Sequence, residues 1–157
     1  MREWFRRLAA EMARRNEARF FEEIESAFQG LADRGFEITH RNYTDSSFGN
    51  GLIRYDNGSL AIEVIRDRSQ HFVDFFVTHL PGQRFQHWVI RSHLGRPLPE
   101  NAPDRPVRWL GRTVCEDLDE IAPLLRPDRA PETAESLARI YDEWFTARFV
   151  TPYRRDD

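Results

Sequence analysis

Apolar residues recur near the start of the chain with a helical period and then switch to a period of two. Phe20, Ile24, Phe28 and Leu31 stand four, four and three apart, which lines one side of a helix. The pattern predicts helix over residues 2–33, with Gly35 as its C-terminal stop. Trp4, Phe5, Leu8 and Met12 form a second stripe upstream. Arg14, Arg15 and Asn16 interrupt the line between the two, and Asn16 is a suitable cap, so one helix and two both fit. The upstream stripe is expected to pack on a sheet, even though this basic amphipathic segment also has the composition of a membrane-surface helix.

From Phe36 the alternation is that of strands. Phe36, Ile38 and His40 alternate with polar neighbours, and residues 51–55 and 60–64 flank the turn sequence Asp56-Asn57-Gly58-Ser59. With Asn57-Gly58 as a two-residue hairpin loop, Tyr55 lies opposite Leu60 and Ile53 opposite Ile62. A second turn over residues 67–70 sets Ile62 opposite Phe75, Leu60 opposite Val77 and Val64 opposite Val73. Both turns assign Ile53, Tyr55, Leu60, Ile62, Val64, Val73, Phe75 and Val77 to one apolar face, which a one-residue slip would scatter. The other face then carries Leu52, Arg54, Ala61, Glu63, Ile65, Phe72, Asp74 and Phe76. On it Glu63 meets Asp74 directly, with Arg54 on the diagonal from Glu63.

After Pro81-Gly82 the helical period returns through Phe85, Trp88, Val89 and Ser92, up to Gly95. Residues 96–112 hold four Pro and read as a long loop with a short strand at Val107 to Leu110. An acidic short helix compromised by Pro123 follows. A last helix then begins near Pro131, with Leu137, Ile140, Tyr141, Trp144 and Phe145 as its apolar side. Residues 151–157 read as a frayed tail. The expected fold is α+β in a single domain: one N-terminal helix or two, a four-stranded antiparallel meander over about residues 36–79, then C-terminal helices.

Composition narrows the chemistry. A chain of 157 residues that is 40 % hydrophobic, with 12 Phe and 4 Trp, suits one folded domain. A net charge of −3 provides no general field for nucleic acid, and no apolar run reaches the length of a membrane span. The lone Cys115 suits a reducing, cytoplasmic setting. All 23 basic residues are Arg, which excludes a Schiff-base lysine, a Walker lysine and a Ser-Lys dyad. The Glu-x-Lys ending of a nuclease pattern also fails, because Ile65 follows Glu63 at that spacing.

The remaining candidates for chemistry are few. His87 and His93 lie about 240° apart round a helix, and His71 and His79 about 26 Å apart along a strand, so neither pair can share an ion. Gly49-Asn50-Gly51 leads into a strand rather than out of one, so it is no phosphate cradle. Cys115 has no activating neighbour in sequence. No catalytic residue, metal or cofactor is expected. Arg54, Glu63, Phe72, Asp74 and Phe76 have the make-up of a recognition surface, apolar anchors among charges, unless the C-terminal helices cover that face.

Residues 20 to 80, "GFEITHRNYTDSSFGNGLIRYDNGSLAIEVIRDRSQHFVDF" above all, resemble small bacterial toxin-immunity proteins. In these a helix and a Gly-Phe lead into a meander with an apolar strand ending in Asp-Arg. The resemblance implies a non-enzymatic cytoplasmic inhibitor with a protein partner, a cognate toxin. It leaves the Pro-rich segment and the final helices unaccounted for. Under this reading neither a nucleic acid nor a membrane is the partner. The alternative is a small metal-independent enzyme or ligand-binding domain with a pocket under residues 96–112, lined by His93, Arg108 and Trp109.

Overall fold

A computed structural model describes residues 1–44, 49–96 and 106–150 of the chain. Helix α1 spans Arg2–Ala27 without a break and passes at Phe28 into a 3₁₀ turn, Gln29–Arg34, closed by Gly35 in the left-handed region. Strands β1 (Glu37–Thr44), β2 (Asn50–Asp56), β3 (Leu60–Asp67), β4 (Gln70–Val77) and β5 (Phe85–Gln86) follow. They form one antiparallel sheet in chain order, so the α+β class and the meander hold, with a fifth strand added. Helices α2 (His87–His93), α3 (Val107–Leu124) and α4 (Ala130–Phe145) complete the domain, α4 running on into a five-residue π-helical turn.

The core is built as the two stripe patterns dictate. Phe20, Ile24, Phe28 and Leu31 from the first helical segment meet the sheet face Ile53, Tyr55, Leu60, Ile62, Val64, Val73, Phe75 and Val77, all buried. Val107, Leu110, Val114, Leu118 and Ile121 of α3 and Val89 and Ile90 of α2 close the same core. Two glycines permit the closest approaches. A Cβ on Gly51 would lie 2.4 Å from the Phe20 ring, and one on Gly111 would lie 2.0 Å from the Ala27 carbonyl oxygen. The first lets α1 rest on β2, and the second lets α1 and α3 cross backbone to backbone.

Several expectations need correction. The hairpin after β2 pairs Tyr55 with Ile62 and Ile53 with Val64, two residues away from the register read off Asn57-Gly58. The cause is the Asn57 side chain, whose oxygen accepts the N–H groups of Ser59 and Leu60, so Asn57 opens the turn instead of occupying its centre. The central pair is Gly58-Ser59, and only Gly58 takes a positive φ, the pattern of a type II′ turn. A slip of two preserves the face, which is why the core was assigned correctly. The turn after β3 keeps its expected register, with Arg68 and Ser69 both at positive φ.

The segment Val107–Leu110 is the first turn of α3, not a strand, and Pro123 sits one residue before the end of that helix, where it does not break it. Phe85, expected in a helix, is in β5. Asn16 caps nothing, since α1 is continuous through it. The upstream stripe does not pack on the sheet: Trp4, Phe5, Leu8 and Met12 remain 60, 57, 41 and 57 % exposed. Most of the Pro-rich segment, 97–105, and the tail 151–157 lie outside the described residues.

Candidate functional site

Alternation along β2, β3 and β4 sends every second side chain away from the helices. Leu52, Ile65, Phe72 and Phe76 are half-buried on that outer face, where only the small Ala61 is fully buried among the apolar residues; the large buried side chains of the sheet come from the opposite face. Of the helices that were candidates to cover the outer face, α3 gives Val107, Leu110, Val114, Leu118 and Ile121 to the core cluster and α4 gives Leu137. Leu52 is opposite Ile65, and Ile65 opposite Phe72, an apolar row across three strands.

Beside this row lies a second row, Arg54, Glu63 and Asp74, also directly opposite one another. The two-residue shift of the first hairpin brings Arg54 from the diagonal to face Glu63. Its guanidinium donates to Glu63 Oε1 at 2.9 Å, lies 3.6 Å from Asp56 Oδ2, and sits 5.6 Å from the centre of the Phe76 ring. Arg54 therefore compensates Glu63 and is itself held in place by an aromatic face.

Asp74 differs from Glu63 although both point outward. Strand β5 pairs along β4 and sets Gln86 beside Asp74, making β4 an interior strand there. Asp74 is 4 % exposed, and its nearest cation is Arg84, at 3.7 Å and itself exposed. Burial pushes the carboxyl up to about 6; Glu63 adds to the rise and Arg84 opposes it. The juxtaposition of two carboxylates is thus resolved asymmetrically, Glu63 paired directly with Arg54 and Asp74 buried with a raised pKa.

Among the described residues this face pairs no nucleophile with a base, so its chemistry is that of contact. Most of the segment that would roof the pocket of the alternative reading, 97–105, lies outside the described residues, and its three lining residues each have neighbours of their own. Arg108 lines a shallow groove between α1 and α3, and Trp109 lies under the Arg91 guanidinium at 5.5 Å. His93 faces the hydroxyl of Ser136 on α4 at 3.2 Å. A cleft of about 570 Å³ opens between the Asn57–Ser59 turn, the end of β4 and the end of α3. Its Arg34 and Asp119 already pair with each other at 2.5 Å.

One buried polar cluster escaped the sequence reading. Asp117 of α3, 2 % exposed, accepts from His87 Nε2 at 2.9 Å, from Arg91 at 2.7 Å and from Arg96, which also reaches Glu120. Burial pushes the His87 imidazole down against the pull of Asp117, so it donates as a neutral ring. Burial alone would raise Asp117, but the His87 hydrogen bond and the two guanidiniums hold it below the usual carboxylate range. With its acceptor oxygens taken by His87, Arg91 and Arg96, Asp117 ties α2 to α3. The available signal was position: Asp117 stands on the apolar line Leu110, Val114, Leu118, Ile121. Among the described residues no group of His, Cys, Asp and Glu is arranged to hold a metal ion, and no helix is long and apolar enough to cross a membrane.

No protein-family model matches the chain, and no curated protein or solved structure does either.

Proposed function

We propose that this is a non-enzymatic, cytoplasmic binding module that engages another protein through the outer face of its meander. What supports the reading is the placement of Leu52, Ile65, Phe72 and Phe76 on a face that the core does not use, beside the ordered Arg54–Glu63 pair. Apolar anchors of this kind supply affinity, and a fixed charge pair supplies discrimination between partners. The resemblance to toxin-immunity proteins makes a toxin encoded by an adjacent gene the first partner to test.

The experiment is a titration of the purified chain against the product of the adjacent gene, with Phe76→Ser and Glu63→Gln as variants. Phe76→Ser should weaken association by roughly thirtyfold or more, about 2 kcal/mol, as expected for a contact residue at an interface centre. Glu63→Gln should weaken it less while leaving the thermal midpoint nearly unchanged. Full affinity in both folded variants would rule this face out, and absence of any association with that product would remove the toxin from consideration.

A further inference from the structure

The first half of α1 poses a separate problem. Four large apolar side chains, Trp4, Phe5, Leu8 and Met12, lie open to solvent within about 12 Å along one helix. At 100° per residue they centre on a line roughly 120° round the axis from the line through Ala13, Phe20 and Ile24, which faces the domain. Ala13 is the first residue of α1 that is not exposed, which marks where that second line meets the body. Residues that continue the stripe's own line, Arg15, Arg19, Glu22 and Glu23, remain exposed even where the helix rests on the core. Whatever covers the stripe therefore approaches from outside, on a side that the domain does not obstruct.

Charge identifies the kind of occupant. Residues 1–19 carry six Arg and three Glu, a formal +3, so the remaining 17 Arg and 23 acids leave the rest of the chain at −6. Arg7 pairs with Glu3 and Arg15 with Glu11 along the helix, which leaves the excess with Arg2, Arg6, Arg14 and Arg19. A second copy suits this poorly. Two +3 segments would repel at contact, and four half-exposed side chains give roughly 800 Å² for a symmetric pair, below the roughly 1,200 Å² of a stable interface.

We propose that residues 2–19 form an interfacial helix that docks the protein on an anionic lipid surface. Trp4, Phe5, Leu8 and Met12 would enter the headgroup region, and the arginines would extend to lipid phosphates. The acidic body would be held on the far side of the helix axis. This departs from the expectation that no membrane is a partner: Glu3 and Glu11, which count against a membrane-surface helix, are each paired with an arginine, and the stripe is not taken up by the sheet.

The test is sedimentation of the full chain with phosphatidylcholine vesicles, with and without roughly 30 % phosphatidylserine. Binding is expected to the anionic vesicles only, and to fall as salt rises from roughly 0.05 to 0.5 M. A Trp4→Ser/Phe5→Ser variant should partition at least roughly tenfold less, with unchanged circular dichroism, since both positions are exposed. Arg2→Gln/Arg6→Gln/Arg14→Gln keeps the stripe and should lose the preference for anionic vesicles. Trp4→Phe should still bind but lose the blue shift of tryptophan emission that vesicles cause in the parent chain. No partitioning at low salt, equal partitioning to neutral vesicles, or an unaffected stripe variant would overturn the proposal. So would a stripe that, without vesicle binding, proves necessary for self-association or for capture of a protein partner.

Discussion

At the scale of the residue, Asp74 shows how a neighbouring strand changes what a side chain can do. Its pairing with Glu63 was legible in the sequence, because alternation and the turn at 67–70 fix that register. Its burial was not, because the cause is β5, two residues long and concealed in what reads as a helix. The shift has a defined consequence for pH. A carboxyl moved from 3.8 to about 6 makes the native chain bind more protons than the unfolded chain between these values. Its contribution to stability therefore falls as pH rises through that window, and the penalty is complete above it. Asp74→Asn is expected to stabilise the fold by about 3 kcal/mol at pH 7 to 8 and by almost nothing near pH 3. Thermal midpoints of both chains across that range would test it, a pH-independent difference being the adverse result. His87 acts in the opposite sense. Its depressed pKa means that the unfolded chain takes up a proton near 6.5 that the native imidazole resists, so acid destabilises through it. Asp117, held low, adds a further loss at more acidic pH. The variant should thus show the acid limb of the curve without the opposing contribution of Asp74.

At the scale of the element, hydrophobic periodicity proved more informative than turn chemistry. The inner face was legible residue by residue because its period of two tolerates a register error of two, the size of the error that Asn57 caused. Helix α3 was not legible as one unit, because Pro106 and Pro123 frame it and the loop-like composition before it obscured its first turn. That break also hid Asp117, whose place on an apolar line shows only when the helix is read as continuous. The crossing of α1 and α3 depends on Gly111, where any Cβ would collide with the Ala27 carbonyl. Backbone cannot yield as a flexible side chain can, so Gly111→Ala must push the two helices apart. We expect a loss of about 3 kcal/mol or more, measurable by denaturant unfolding. A loss below about 0.5 kcal/mol would mean that the helices do not cross so closely.

At the scale of the whole molecule, the fold divides its tasks between faces. One side of the sheet is consumed by the core, the other carries the candidate contact surface, and the long helix extends past both. The class and the meander were legible because both rest on local patterns; which stripes would be covered was not, because burial depends on where separate elements come to lie. The continuity of α1 has a further consequence, in the exchange of its amide hydrogens with solvent water. Amides around Phe20 to Ala27 sit over the core and can open only with the domain, whereas those around Arg6 to Met12 are held by helical hydrogen bonds alone. An isolated helix of that length is marginal in water, so its amides should exchange orders of magnitude faster than those over the core. Deuterium uptake along this one unbroken helix should therefore rise steeply toward its start, with the step near Ala13. Anionic vesicles should flatten that gradient if the helix lies down on them.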